Sequence, residues 1–183
     1  MMNKKLLGYA AVALAFALLG AITGQRAGDG PLTTAYAATG GKPHTAVTRL
    51  YGMQLADAAG KPHALSQWQG KAVLVNFWAP WCAPCVREMP ELDALARELG
   101  AKKVAVIGIG VDSPTNIAQF AAKMKISYLL YVAGMEGTEL ARELGNTQGG
   151  LPYTVLIGAD GQVRKSYLGQ LKFEQLRADL AAL

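Results

Sequence analysis

Cysteine and histidine are scarce in this chain of 183 residues, two of each. With both cysteines three apart, Cys82 and Cys85, no pair is left over to staple a small core, so a disulfide scaffold is excluded. A zinc site built on the cysteines would need two more ligands. His44 falls at the end of a Gly/Thr-rich stretch and His63 in an early hairpin, neither with ligand-like spacing. No basic run is interleaved with aromatics, which excludes nucleic-acid binding. The net charge of +5 is itself local: Lys4, Lys5 and Arg26 precede a remainder with fifteen basic and thirteen acidic residues.

What is present begins with an apolar run. Leu6 to Ile22 is seventeen residues without a charge, preceded by Lys4 and Lys5. As a helix it would be about 26 Å long, close to a ~30 Å hydrocarbon core. The small-x-small site Ala35-Tyr36-Ala37 lies some way beyond the run, so residues 1–23 read as an uncleaved signal anchor, with a cleaved signal peptide as the alternative. Positive charge before the span puts the N-terminus inside and the domain outside. That implies an inner-membrane, single-pass protein facing the periplasm, or a soluble periplasmic one after cleavage. Residues 24–46 read as a flexible linker and 47–183 as one domain.

Within the domain, Val73 to Trp78 is a short β-branched and aromatic run, the pattern of a strand covered on both faces. From Cys85 onward Met89, Leu92, Leu95, Ala96 and Leu99 recur at helical spacing until Gly100. The cysteines therefore sit where a central strand turns into a helix. Unpaired N–H groups and the positive dipole end stabilise a thiolate there. Cys82 is expected to be the acidic, exposed nucleophile and Cys85, one turn inside, the resolving thiol, with Pro84 tolerated in the first turn. A purely structural bridge closing so short a loop would contribute only roughly 2 kcal/mol, against ~3 for a fifteen-residue loop.

The remainder supports that junction. Thr48 to Leu55 and Pro62 to Leu65 read as two strands of a hairpin, with His63 exposed on it and Trp68 packing after it. Lys103 to Val111 is a second buried strand, parallel to the first because a helix crosses between them. Asp112-Ser113-Pro114 starts a helix to about Lys123; a strand over 128–132 and a helix over 138–144 follow. Leu151-Pro152 heads a third apolar strand, Asp160-Gly161 turns into a fourth, and Lys172 to Leu183 closes as an amphipathic helix.

The run Phe77-Trp78-Ala79-Pro80-Trp81-Cys82-Ala83-Pro84-Cys85 resembles the thioredoxin active site, and its flanks, with Arg87-Glu88-Met89-Pro90, resemble the membrane-anchored TlpA/ResA/DsbE-like branch. The resemblance spans roughly residues 47–183. It implies an α/β thioredoxin fold, a central mixed sheet flanked by helices, with an extra N-terminal hairpin and a central insertion. It also implies a cis Pro152 beside the cysteines, with the Leu151 backbone free to pair with a substrate strand and Trp81 and Pro84 supporting the site.

The activity it implies is extracytoplasmic thiol-disulfide exchange through a Cys82–Cys85 redox disulfide, mainly reductive, on cysteines of exported proteins awaiting haem or copper insertion. A membrane electron donor is implied. No further cofactor is expected, and the chain is expected to be monomeric. Where thioredoxins carry a buried aspartate six residues before the first cysteine, this chain has Asn76. Glu88 is a candidate for the proton transfer, although its place on the helix reads as a solvated surface carboxylate. The alternative function is a Cu(I) metallochaperone using the Cys82/Cys85 thiolates with Met89 nearby.

Overall fold

The computed structural model describes residues 43–183. The apolar segment 6–22 and the stretch up to residue 42 lie outside them. Among the described residues no helix is long and apolar enough to cross a membrane.

The chain opens with α1 (Pro43–Gly52), then β1 (Gln54–Asp57), β2 (Pro62–Ala64) and one 3₁₀ turn, Leu65–Trp68. The central part is β3 (Ala72–Trp78), α2 (Ala83–Lys103), β4 (Val104–Gly110), α3 (Pro114–Met124), β5 (Leu129–Val132) and α4 (Gly134–Glu143). It closes with β6 (Tyr153–Ile157), β7 (Val163–Leu168) and α5 (Phe173–Ala181). All seven strands form one mixed sheet in the order β2-β1-β5-β4-β3-β6-β7. β3, β4 and β5 run parallel, and β1, β2, β6 and β7 pair antiparallel with their neighbours.

The sheet is sandwiched because β3 alternates between two buried faces. Val73, Val75 and Phe77 join Ile107 and Ile109 against α1 and α4. Leu74 and Trp78 point the other way, onto Met89, Leu92 and Leu95 of α2, Ile117 of α3 and Leu176 of α5. Each such Leu or Ile removed from water contributes about 1.5–3 kcal/mol. Only the absence of a Cβ at Gly108 lets the Trp78 indole lie over β4: a Cβ there would stand 3.0 Å from Trp78 Nε1.

Three local expectations are corrected. Thr48 to Gly52 is helical rather than extended, and the helix starts at Pro43 within the stretch read as linker. Ala46, Val47, Leu50 and Tyr51, spaced at three and four, are all buried. The strand begins only at Gln54. α4 starts at Gly134 instead of residue 138. His63 is not exposed: its Nε2 lies 2.8 Å from Asp57 Oδ2 and its ring meets Tyr131 edge-on at 5.7 Å. Trp68 packs partly buried and donates Nε1–H to Tyr131 Oη at 3.0 Å.

Candidate active site

β3 delivers the cysteines to the start of α2. After Trp78 the chain turns, with Cys82 N–H bonded to the Ala79 carbonyl at 3.1 Å, and Cys82 becomes the N-cap of α2. Its Sγ accepts the Cys85 backbone N–H at 3.3 Å, so one orphan donor of the first turn is already aimed at that sulfur. Pro84 occupies the first turn, where its missing N–H leaves no bond unmade. Beyond it the backbone stays helical through Pro90, and the residue leaving helical dihedrals inside α2 is Gly100, at φ 59°. The two sulfurs form a disulfide, S–S 2.05 Å, between residues whose Cα atoms are 5.3 Å apart.

The surroundings divide sharply by exposure. Trp81 is 68% exposed, whereas Cys82 is only 6% exposed and Cys85 not at all. The expectation of an exposed Cys82 is thus corrected for the disulfide form, because Cys82 packs into the apolar cluster of Trp78, Met89 and Leu156. Pro84 is half-buried. The Leu151–Pro152 peptide is cis, and Pro152 is buried. The register Phe77↔Tyr153, carried one residue further, sets Pro152 alongside Trp78 at the head of the cysteine turn. Half-buried Leu151 packs against both apolar clusters, and its N–H and C=O make no hydrogen bond with the described residues. The Pro152 carbonyl is taken by Gly169 N–H at 2.8 Å.

Glu88 is the largest departure from the sequence reading. It is 1% exposed, not a solvated surface carboxylate. Its Oε1 accepts Asn76 Nδ2–H at 2.9 Å and its Oε2 accepts the Leu171 backbone N–H at 2.9 Å. Asn76 also donates to Thr154 Oγ1 at 3.0 Å. Burial raises the Glu88 carboxyl above its ordinary value, partly opposed by those two donors, Leu171 first. The signal was in the spacing: Cys85, Glu88, Met89 and Leu92 trace one helical stripe that faces the core. Leu171 and Thr154 were missed, because a partner brought in by a distant backbone segment leaves no local pattern. Among the described residues no group of three or more His, Cys, Asp or Glu could hold a metal.

A mixed sheet flanked by helices, with a cysteine pair at the first turn of the helix after its central strand, defines a thioredoxin-fold thiol-disulfide oxidoreductase. The comparisons agree. The Redoxin family model matches residues 35–180. Thiol-disulfide oxidoreductase ResA of Geobacillus thermodenitrificans is 30% identical over 130 residues, 70% of this chain and 72% of that one. ResA of Bacillus cereus is 34% identical over 124 residues, 68% and 70% of the respective chains. The crystal structure of a secreted Mycobacterium tuberculosis disulfide oxidoreductase homologous to E. coli DsbE shares the fold, with TM-score 0.61, 21% identity and coverage of 74% of this chain and 98% of that one. The chain belongs to the Redoxin family, in the TlpA/ResA/DsbE-like branch of the thioredoxin superfamily.

Proposed function

We propose that this oxidoreductase works as a reductant of disulfides in exported polypeptides, of the kind that precede haem attachment or copper insertion. In this reading the Cys82 thiolate attacks one sulfur of the substrate disulfide, forms a mixed disulfide and releases the first substrate thiolate. The Cys85 thiol loses its proton to the Glu88 carboxylate. Its thiolate then attacks Cys82 Sγ, releasing the second substrate thiolate and leaving the Cys82–Cys85 disulfide. Two electrons have passed to the substrate. A dithiol donor in the membrane restores the pair, and segment 6–22 holds the domain at an extracytoplasmic membrane face.

The observation carrying this reading is the asymmetry of the pair. Cys82 caps α2 and takes a backbone N–H on its sulfur, next to exposed Trp81; Cys85 is sealed inside, one turn before a buried carboxylate of raised proton affinity. A helix N-terminus lowers the pKa of the thiol it carries. Asn76 supplies the donor that orients Glu88 where thioredoxins place an aspartate. Leu151, with its backbone unpaired, is the proposed edge for a substrate strand; Trp81, Pro84 and cis Pro152 frame it.

The test is trapping. Cys85→Ser should accumulate mixed disulfides through Cys82 with exported cysteine-bearing proteins, and Cys82→Ser should not. A well-folded Cys85→Ser variant that traps nothing would sink the mechanism. Direction is read from the reduction potential of the pair: a reductant sits near the thioredoxin value of about −270 mV, an oxidant near about −120 mV.

A further inference from the structure

Exposed apolar surface is concentrated around the disulfide. Among the described residues four large apolar side chains stand out into solvent: Trp81, Met135, Leu168 and the terminal Leu183. The first three border the site. Trp81 and Met135 line one groove of about 540 Å³ together with Leu151, Val111 and Asp112. Leu168 abuts the loop leading to Leu151, since a Cβ on Gly150 would lie 3.1 Å from its Cδ1. A second concavity of about 440 Å³, reaching Pro114 and Val132, shares Val111, Asp112 and Met135 with the first. The two adjoin along these three residues as a trough that starts at Trp81, beside Cys82.

Both walls are tied to the site. Val111 N–H bonds the Trp78 carbonyl at 2.8 Å, fixing the floor to the end of β3. Asn146, 3% exposed, donates Nδ2–H to the Gly150 carbonyl at 2.9 Å and its N–H to the Ala141 carbonyl at 2.9 Å, which locks α4 to the loop before Pro152. Met135 itself is unbranched and polarizable, suited to packing on differing apolar partners. Asp112 accepts hydrogen bonds only from neutral donors, Ser113 N–H and Asn116 Nδ2, and no cation pairs with it among the described residues.

We propose that this trough is the specificity subsite of the oxidoreductase. It takes the segment of a substrate polypeptide next to its reacting cysteine, with a bulky apolar side chain between Trp81 and Met135 and a basic residue at Asp112. The proposal rests on the reading that the substrate is a polypeptide disulfide. The occupant follows from the chemistry: a sulfur bonded to Cys82 must bring its neighbouring residues over Trp81 and Leu151, directly at the mouth of the trough. A pocket for one apolar side chain discriminates by roughly 10–200-fold.

The experiment measures oxidation of the pre-reduced full chain by three disulfides: a disulfide-closed peptide with Leu and Arg next to one cysteine, the same peptide with Ser at both positions, and hydroxyethyl disulfide. Wild type should prefer the Leu-Arg peptide about tenfold. Met135→Ser, at a position 74% exposed, should remove the contribution of Leu through a raised half-saturating concentration, leaving hydroxyethyl disulfide unchanged. Asp112→Asn should remove the contribution of Arg alone. Equal wild-type rates on both peptides, or a Met135→Ser loss that extends to hydroxyethyl disulfide, overturn the subsite while the oxidoreductase reading stands. A wild type that reacts with hydroxyethyl disulfide and with neither peptide overturns both.

Discussion

Asn76 and Glu88 share a hydrogen bond of 2.9 Å, Nδ2 to Oε1, with neither side chain reaching solvent. One lies on the central strand and the other on the helix that carries the cysteines, so the bond links the two elements one helical turn beyond Cys85. An amide facing a carboxylate in this place leaves one ionisable group where two acids would repel.

Glu88→Gln keeps the shape but has one acceptor where the carboxylate has two, so its Nε2 opposes the Asn76 Nδ2 or Leu171 N–H donor, and a stability loss of about 1–3 kcal/mol is expected. Resolution of the mixed disulfide should slow by roughly 10²-fold at neutral pH and lose its acid-side inflection, as expected when a general base is removed. Burial raises the Glu88 carboxyl in the folded state. The native state therefore keeps a proton that the unfolded chain has released, and wild-type stability falls as pH rises from the ordinary carboxyl range through the raised value. Urea unfolding of both proteins across that range should show this slope in wild type and not in the variant.

Asn76→Asp, which installs the thioredoxin acid, should be tolerated in acid and damaging at neutral pH. It replaces the Nδ2 donor by a second carboxylate beside Glu88, with which no cation pairs among the described residues. A loss on the order of 3 kcal/mol is expected at pH 7, the cost of an uncompensated buried charge, shrinking as pH falls and the acids protonate. Unfolding midpoints at two pH values suffice to check it; a pH-independent loss would contradict the account.

Asp93 titrates in the opposite sense. It is 5% exposed; Oδ1 accepts Ser127 N–H at 2.7 Å and Ser127 Oγ–H at 2.6 Å, and Oδ2 pairs with Arg97. Burial disfavours the charge, yet the Ser127 bonds and Arg97 hold the carboxyl below its usual range. Its stabilisation is present above the unfolded carboxyl value and lost as pH falls through the folded one. Asp93→Asn should cost about 1–3 kcal/mol at pH 7 and progressively less in acid. Thermal unfolding against pH measures the convergence.

Gly108→Ala should destabilise by about 1–3 kcal/mol without altering the cysteines directly. The added methyl would meet Leu130 Cδ2 at 2.6 Å and Trp78 Nε1 at 3.0 Å. The expected readout is a lowered denaturation midpoint together with a shifted near-UV signal from Trp78.

The thioredoxin core was legible because its elements carry their own periodicity. β3, apolar but for Asn76, and β4 are buried runs, and a helix had to cross between them, so their parallel pairing followed. Ser113 caps α3 as its position before Pro114 suggested. α1 was misread since Tyr51 and Leu50 suit strand and helix alike, and the choice fell to the core that receives Ala46, Val47 and Leu50. His63 was misjudged for a similar reason: nothing near it in sequence announces Tyr131, which β1–β5 pairing brings beside it.

By itself the sequence determined the strand-to-helix junction, the cysteines three apart within one turn, and the proline at the head of β6. These are local matters of residue type and spacing. Tertiary structure decided the environment: that Glu88 is buried and held by Asn76 and Leu171, that Cys82 is covered in the disulfide form, and that Met135 and Trp81 flank one trough. Burial and proton affinity depend on what distant segments place around a side chain, and strand pairing over 78 residues brings Thr154 to Asn76.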